Sequence, residues 1–413
     1  MKWIYDLGMH LLRIALPLIS LFSKKVQLFH KGRKNLFTDL EDFRKTKSGP
    51  LIWFHVASLG EFEQAKPVIS GLKHSFSNYL IAVSFYSPSG FVPTQKKTPV
   101  EVDYIGYLPI DTTKNAAKYL KILQPEMSFF VKYDLWFNFL QCLNQKRVPT
   151  FLVAAAFRKD QVYFTRKGFF RAPIFCFNHI FCQNELSQSL LNEIGYKQHS
   201  LSGDTRFDRV AENAINAKEF PEISKWVGDS KVMVLGSIWE EDMDLLIPLI
   251  NSNSDYQFII APHDIKSKHL QTWANQINTK TLFYSQWDQI EKSPVLIIDN
   301  IGMLSRLYQY ATIAYVGGAF GEGLHNILEP IGFGVPVIFG KVKKEKKFPE
   351  AETAIAQGCA FSVGNSKELI ERMDALQNSL ELQNAKLAAK HWVETQLGAS
   401  AKILAHISKY LKS

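Results

Sequence analysis

The stretch Gly317-Gly318-Ala319-Phe320-Gly321-Glu322-Gly323, continuing Leu324-His325-Asn326-Ile327-Leu328-Glu329-Pro330, constrains the fold more than any other part of the chain. It follows Ile313–Val316, an apolar run that reads as a buried parallel strand. Four glycines within seven residues let the backbone turn sharply and approach a ligand closely. The pattern then predicts a helix starting at Asn326-Ile327-Leu328-Glu329, whose free N–H groups and positive dipole end suit an anion such as phosphate. On such a helix His325 and Glu329 stand one turn apart and face the same ligand. Strand, glycine turn and helix start together make a nucleotide-sugar cradle. The same pattern also serves as a plain glycine-rich connection in an α/β domain.

Strand-like runs recur along the chain, at Leu51–Val56, 79–85, Met127–Val131, Thr150–Ala155 and 174–182, with helical patterns at Thr113–Leu123 and 135–145 between them. Alternation at this spacing predicts a parallel, doubly wound sheet. A polar stretch over 211–230, containing Pro221, breaks the pattern. The alternation restarts at 231–235, 257–260, 295–298, Ile313–Val316 and 335–339. The chain's 413 residues exceed one ordinary core, so two Rossmann-like α/β domains facing a central cleft are expected. The expected layout is an anchor helix with a basic flank over 1–35, a first domain over 36–212 and a linker over 213–230. A second domain then covers 231–390, and 391–413 forms a helix crossing back to the first. No GxGxxG with a trailing acid follows either first strand, which argues against a dehydrogenase.

The 48 basic and 39 acidic residues leave a net charge of +9, which points to an anionic partner. No zinc-finger or RNP-like pattern is present, so nucleic acid is not expected. Cys142, Cys176, Cys182 and Cys359 form no CxxC and read as structural thiols of a reducing compartment. Residues 11–22 are mostly apolar but fall short of the roughly 20 needed to cross a bilayer. With Lys24, Lys25, Lys31, Arg33 and Lys34 behind them, they read as a membrane-surface anchor with cations for anionic headgroups. An amphipathic helix packed on the first domain is the alternative.

A second constellation is His55-Val56-Ala57-Ser58-Leu59-Gly60-Glu61. A carboxylate just after a turn at a strand's carboxyl end lies at the usual ligand crevice, where it can take a proton from a hydroxyl. It can equally be a first-turn acid that complements the helix dipole.

With both constellations in view, the chain resembles the 3-deoxy-D-manno-octulosonic acid (Kdo) transferases of lipopolysaccharide synthesis, inverting glycosyltransferases of GT-B architecture. The family's H-x-x-S-x-G-E appears as His55 to Glu61, and its GG…HN-x-LEP as Gly317-Gly318 with His325 to Pro330. The resemblance implies that Glu61 is the general base for a hydroxyl of a lipid A precursor (lipid IVA), which attacks the anomeric carbon of CMP-Kdo and releases CMP. It further implies that Asn326, Ile327, Leu328 and Glu329 border the nucleotide, with Glu329 on the ribose. Pro262 and His263 stand at a Pro-Arg-His nucleotide contact, where His263 in place of Arg weakens the phosphate grip unless it is protonated. Gly302, Met303 and Leu304 match a cytidine-side contact, and Gly236-Ser237 a phosphate or Kdo neighbour. Arg206, in Ser202-Gly203-Asp204-Thr205-Arg206-Phe207-Asp208, stands where the family often has Lys and is carried over as a catalytic cation.

One departure reverses a charge. The family's E-T-E-L-W-P-N run reads Lys132-Tyr133-Asp134-Leu135-Trp136-Phe137-Asn138 here, so an acid thought to assist at the transition state is Lys132. Lys132 is expected to bind the Kdo carboxylate or an acceptor phosphate, with Asp134 keeping an acid nearby; a solvent-exposed strand end is the alternative. The run Lys341-Val342-Lys343-Lys344-Glu345-Lys346-Lys347 is a solvated loop or an attractor for anionic substrates. No cofactor is expected, and no metal, because no DxD-like pair ends a strand. The resemblance places the enzyme at the cytoplasmic face of the inner membrane. A nucleotide-sugar 2-epimerase and a non-enzymatic membrane-surface binding protein are the competing readings.

Overall fold

The computed structural model describes residues 1–413 apart from Ser267, Ile290, Glu291, Glu322, 344–347, Lys412 and Ser413. The chain divides into two compact units, Met1–Arg209 with Leu397–Ser413, and Val210–Gln396.

In the first unit, β1 (Leu51–Val56), β2 (Leu80–Phe85), β3 (Tyr104–Tyr107), β4 (Met127–Val131), β5 (Thr150–Ala155), β6 (His179–Cys182) and β7 (His199–Leu201) form one parallel sheet. Their order is β3-β2-β1-β4-β5-β6-β7, so the winding reverses between β1 and β4. β1, β4 and β5 are buried throughout because helices cover both faces of the sheet. On one face Trp53, Phe130 and Leu152 pack against Leu40, Tyr119 and Leu140. On the other, Phe54, Phe129 and Val153 share a core with Phe62, Val68 and Ile69 of the helix Leu59–Ser75. Ile403 and Ile407 of the helix Ala399–Ile407 complete that second core. The chain end therefore belongs to the first unit, from Leu397 onward, whereas the helix Ser379–Gln396 stays with the second.

In the second unit, β8 (Lys231–Ile238), β9 (Tyr256–Pro262), β10 (Thr281–Phe283), β11 (Val295–Ile297), β12 (Ile313–Val316), β13 (Val337–Gly340) and β14 (Ala360–Val363) are likewise parallel. The order β10-β11-β9-β8-β12-β13-β14 reverses between β8 and β12. Crevices at the carboxyl ends of β1/β4 and of β8/β12 are thus the places where such sheets bind ligands.

Local readings need correction at four points. The expected strand over 174–182 begins only at His179; Pro173 seeds a 3-10 turn over Ala172–Cys176 instead. The helix expected from 135 starts at Phe137, its first N–H groups held by the buried Asp111 carboxylate. The stretch expected as linker over 213–230 holds the helix Pro221–Val227, whose Ile223 is fully buried in a core of the second unit, with Val232, Val234 and Ile259. Of the basic flank, Arg33 is not presented to headgroups. It sits against the rings of Phe29, Tyr107 and Tyr86 and donates to the carbonyls of Leu108 and Tyr86. Burial lowers its pKa to about 10.

At the amino end, the helix Lys2–Ile19 docks by one face, Tyr5 donating to Asp111 at 2.6 Å and Asn138 to Asp6 at 2.9 Å. Trp3, Ile4, Leu7, Leu11, Ile14 and Leu18 are exposed at helical spacing. Among the described residues no single helix is long and apolar enough to cross a membrane. Lys2–Ile19 and Lys24–Lys31 pass that test only jointly, as a pair bent by 117°.

Candidate functional site

β1 ends in His55-Val56, and the chain turns through Ala57-Ser58 into the helix Leu59–Ser75. Ser58 caps that helix, its Oγ accepting from the Glu61 N–H at 3.5 Å. The Glu61 carboxylate turns back toward the strand end and accepts from the Ala57 N–H. This is close to a capping box, which explains why Ser and Glu stand three apart. The position is nearly dry, Glu61 being 8% exposed. Burial, then the nearby Asp134 charge, raises its pKa from 4.5 to about 7, while the Ala57 N–H and the Lys132 charge pull the other way. A carboxylate with a pKa near 7 has the basicity that proton abstraction at neutral pH needs.

Asp134 reaches this crevice from the turn after β4. Its Oδ2 lies 2.8 Å from His55 Nε2 and 2.9 Å from the Trp136 indole N–H. The same indole N–H lies 3.0 Å from His55 Nε2, and His55 Nδ1 lies 2.9 Å from the Ser84 hydroxyl. Ser84 in turn accepts from the Trp53 indole at 2.8 Å. Asp134, named in the sequence only as an acid nearby, is therefore the hub of a network crossing β1, β2 and β4. Lys132 is partly buried and sits at φ 62°, a left-handed conformation unusual for a long side chain. Its N–H donates to Val153 at 2.9 Å.

Arg206 lies at the start of the helix Thr205–Ile215 and is ion-paired with Asp204, its Nη2 2.7 Å and its Nε 2.9 Å from Asp204 Oδ2. Asp208 of the same segment caps the helix Ala399–Ile407, accepting from Gly398 and Ser400 N–H. One acid of the segment thus holds Arg206 and the other holds the returning chain end.

The corresponding crevice of the second unit is built around Asp242, a residue the sequence reading passed over. It is 1% exposed, and its oxygens accept from the N–H of Trp239 and of Gly318 and from the Tyr315 hydroxyl. Burial raises its pKa. Through it the turn after β8 and the glycine loop after β12 are tied together. Gly317 must lack a side chain, since a Cβ there would lie 2.5 Å from Asp242 and 2.6 Å from the Ser237 carbonyl. Gly318, at φ 93°, would meet the Gly323 carbonyl at 2.5 Å. Gly236 packs directly on the Tyr308 ring, and Ser237 beside it takes φ 56°.

Beyond that loop the expected helix is shorter. It spans Leu328–Gly332, and Asn326 precedes it, its side chain occupying the Leu328 N–H at 3.2 Å and donating to Glu329 at 3.2 Å. The Leu328 donor left open for phosphate in the sequence reading is thus taken. His325 and Glu329 are not one helical turn apart. The side chains of Ile327 and Leu328 are fully buried, which leaves only their backbone to face a ligand. Glu329 remains near Tyr308, whose hydroxyl is kept protonated by burial first and by the Glu329 charge second.

His325 lies in the crevice with two further aromatic rings. Its ring centroid is 4.6 Å from that of His263, which stacks at 4.2 Å on Trp239. His263 follows Pro262 at the end of β9. Burial lowers the pKa of both imidazoles, that of His325 to about 4. The protonated form of His263, which would make up for the missing Arg charge, is therefore disfavoured. Gly302, exposed at φ 86° with open space around it, precedes Met303 and the helix Leu304–Leu307. Of the run at 341–347, residues 344–347 lie outside the described residues. The large cavity of about 610 Å³ lined by Trp226, Tyr256, Trp287 and Pro294 opens at the amino ends of β8, β9 and β11 and holds none of these groups.

Residues 32–209 match the family described as 3-deoxy-D-manno-octulosonic-acid transferase (kdotransferase). A 3-deoxy-D-manno-octulosonic acid transferase of Rickettsia felis is 27% identical over 376 residues, covering 87% of this chain and 79% of that protein. Its counterpart in Rickettsia prowazekii is 26% identical over 359 residues, 83% of this chain and 76% of that protein. The solved structure of MurG from Acinetobacter baumannii superposes with a TM-score of 0.56 over 88% of this chain and all of that one, at 12% identity, a likeness of fold. The fold class is GT-B, with two parallel-sheet α/β domains.

Proposed function

We propose, from the Kdo transferase domain that this chain carries and the transfer of Kdo in lipopolysaccharide synthesis that it implies, that the donor is CMP-Kdo and the acceptor a lipid A precursor such as lipid IVA. The observation that carries the reading is Glu61, a nearly dry carboxylate with a pKa near 7 at the winding reversal of the first sheet. In this role it takes the proton of the acceptor hydroxyl as that oxygen attacks the anomeric carbon of Kdo. The bond from that carbon to the CMP phosphate breaks, and its electron pair leaves with CMP. A single displacement of this kind inverts the anomeric centre and needs one base and no covalent intermediate.

The network around Asp134 sets the base. Its negative charge favours the protonated Glu61 and the Lys132 charge favours the ionised form. In this reading Lys132 takes an anion, the carboxylate of Kdo or a phosphate of the acceptor. In the second unit, the Asp242-tied glycine loop and the Gly302 turn border the nucleotide, and Glu329 supplies the acceptor oxygens for its ribose. Arg206 supplies positive charge at the reacting centre, held in place by Asp204.

The exposed stripe Trp3 to Leu18, followed by Lys24, Lys25, Lys31 and Lys34, suits a protein lying on the cytoplasmic face of the inner membrane. Purified protein given CMP-Kdo and tetraacylated lipid A precursor should yield the Kdo-bearing lipid by mass spectrometry, along with CMP. Donor hydrolysis with unchanged lipid would reject the acceptor assignment.

A further inference from the structure

The Trp239 indole N–H lies 2.9 Å from His325 Nε2. An indole nitrogen can only donate, so Nε2 must offer a lone pair and the single ring proton of His325 must sit on Nδ1. Among the described residues no hydrogen bond is made at that Nδ1. Trp239 is itself held, its backbone N–H donating to Asp242 at 3.0 Å and its ring stacked on His263 at 19° between planes. Asp242 also holds Gly318, so the indole and the glycine loop share one anchor. The His325 backbone N–H closes the arrangement on the Gly317 carbonyl at 3.2 Å.

We propose that Trp239 is a positioning residue for donor binding. By fixing the His325 tautomer it leaves the Nδ1–H as a ready hydrogen-bond donor to an anionic oxygen of the bound nucleotide. A free imidazole divides its proton between two nitrogens and presents an acceptor at Nδ1 part of the time; a lone pair facing a phosphate or carboxylate oxygen repels it. The indole removes that fraction before the ligand arrives, which is preorganisation. Neutral N–H donors then do at this crevice what a protonated histidine would otherwise do by charge. The proposal rests on the second unit binding the nucleotide donor.

Histidine-selective ¹⁵N labelling tests it directly, with the His325 signal assigned by its loss in His325→Asn. Long-range proton–nitrogen spectra of the free protein should show His325 protonated at Nδ1. Trp239→Phe, which keeps a ring against His263 but lacks the N–H, should shift it toward the mixed population of a free imidazole. The same variant should weaken CMP binding by about tenfold in titration calorimetry. His325→Asn supplies an amide donor that has no tautomer, so adding Trp239→Phe to it should cost CMP affinity little. That non-additivity is not expected if the indole merely supports the fold. A wild-type spectrum with the proton on Nε2, or a Phe variant with unchanged tautomer or unchanged CMP affinity, overturns the proposal. Wild-type protein that binds no CMP at all instead removes the nucleotide reading on which it rests.

Discussion

Asp208 caps the helix beginning at Ala399, its Oδ1 2.7 Å from the Gly398 N–H and its Oδ2 2.6 Å from the Ser400 N–H, across 190 and 192 residues of chain. The carboxylate takes up helix-end donors that would otherwise go unpaired where Ile403 and Ile407 enter the core of the first unit. Asp208→Ala should destabilise the protein by about 1–2 kcal/mol, and Asp208→Asn by less. Urea unfolding checks this. Equal stability of the Ala variant would show that the cap contributes nothing.

Two charges of opposite sign act on Glu61, the proposed base, so two substitutions should move the pH profile of transfer in opposite directions. Asp134 raises the Glu61 pKa, and Asp134→Asn should shift the rising limb of kcat/KM to lower pH. Lys132 lowers it, and Lys132→Asn should shift the limb upward. Asn tolerates the left-handed backbone at 132, so this exchange removes the charge without reversing the turn. Limbs moving together, or not at all, would separate these residues from the base.

Burial of Glu61 also has a stability consequence. Below pH 4.5 the folded and unfolded states both hold its proton. Between 4.5 and about 7 the unfolded chain ionises first, so rising pH costs stability, and above about 7 the loss is complete. Glu61→Gln should therefore raise the melting temperature at pH 8 relative to the wild-type protein and leave it nearly unchanged at pH 4. Destabilisation at pH 8 would mean that the carboxylate is a structural cap first.

The glycine loop should tolerate no side chain at 318. Gly318→Ala combines a positive φ with a Cβ 2.5 Å from the Gly323 carbonyl, and should abolish CMP binding while leaving the first unit folded. Asp242→Ala strands the Gly318 and Trp239 N–H groups and should cost about 1–3 kcal/mol for each donor left dry. Isothermal titration and thermal unfolding measure both. Magnesium chelation, by contrast, should leave transfer unchanged.

On the membrane side, Leu11→Asp with Ile14→Asp places two charges in the exposed stripe of the first helix. Co-sedimentation with anionic vesicles should fall sharply, and transfer to a short-chain acceptor should persist. Undiminished vesicle binding would leave the stripe without that role.

Much of the fold was legible because parallel strands covered on both faces are apolar runs. The strands missing from the sequence reading, β3, β7, β10 and β14, are the four sheet edges, three or four residues long and only partly buried. Glu61 was legible through its place after Ser58-Leu59-Gly60. Its neighbours were not: Asp134 meets His55 across 79 residues, and Trp239 meets His325 across 86, pairings that sheet order creates and local spacing does not reveal. The helix start at 326 was misplaced because an Asn side chain can replace the turn that a helix would supply. Arg33 read as one cation of a headgroup-facing cluster, since the three rings around it come from 29, 86 and 107.

The most direct test is transfer by Glu61→Gln, measured beside its affinity for CMP-Kdo. A lost general base predicts a fall in transfer of about a hundred- to ten-thousandfold with donor affinity retained. Transfer at the wild-type rate would contradict it.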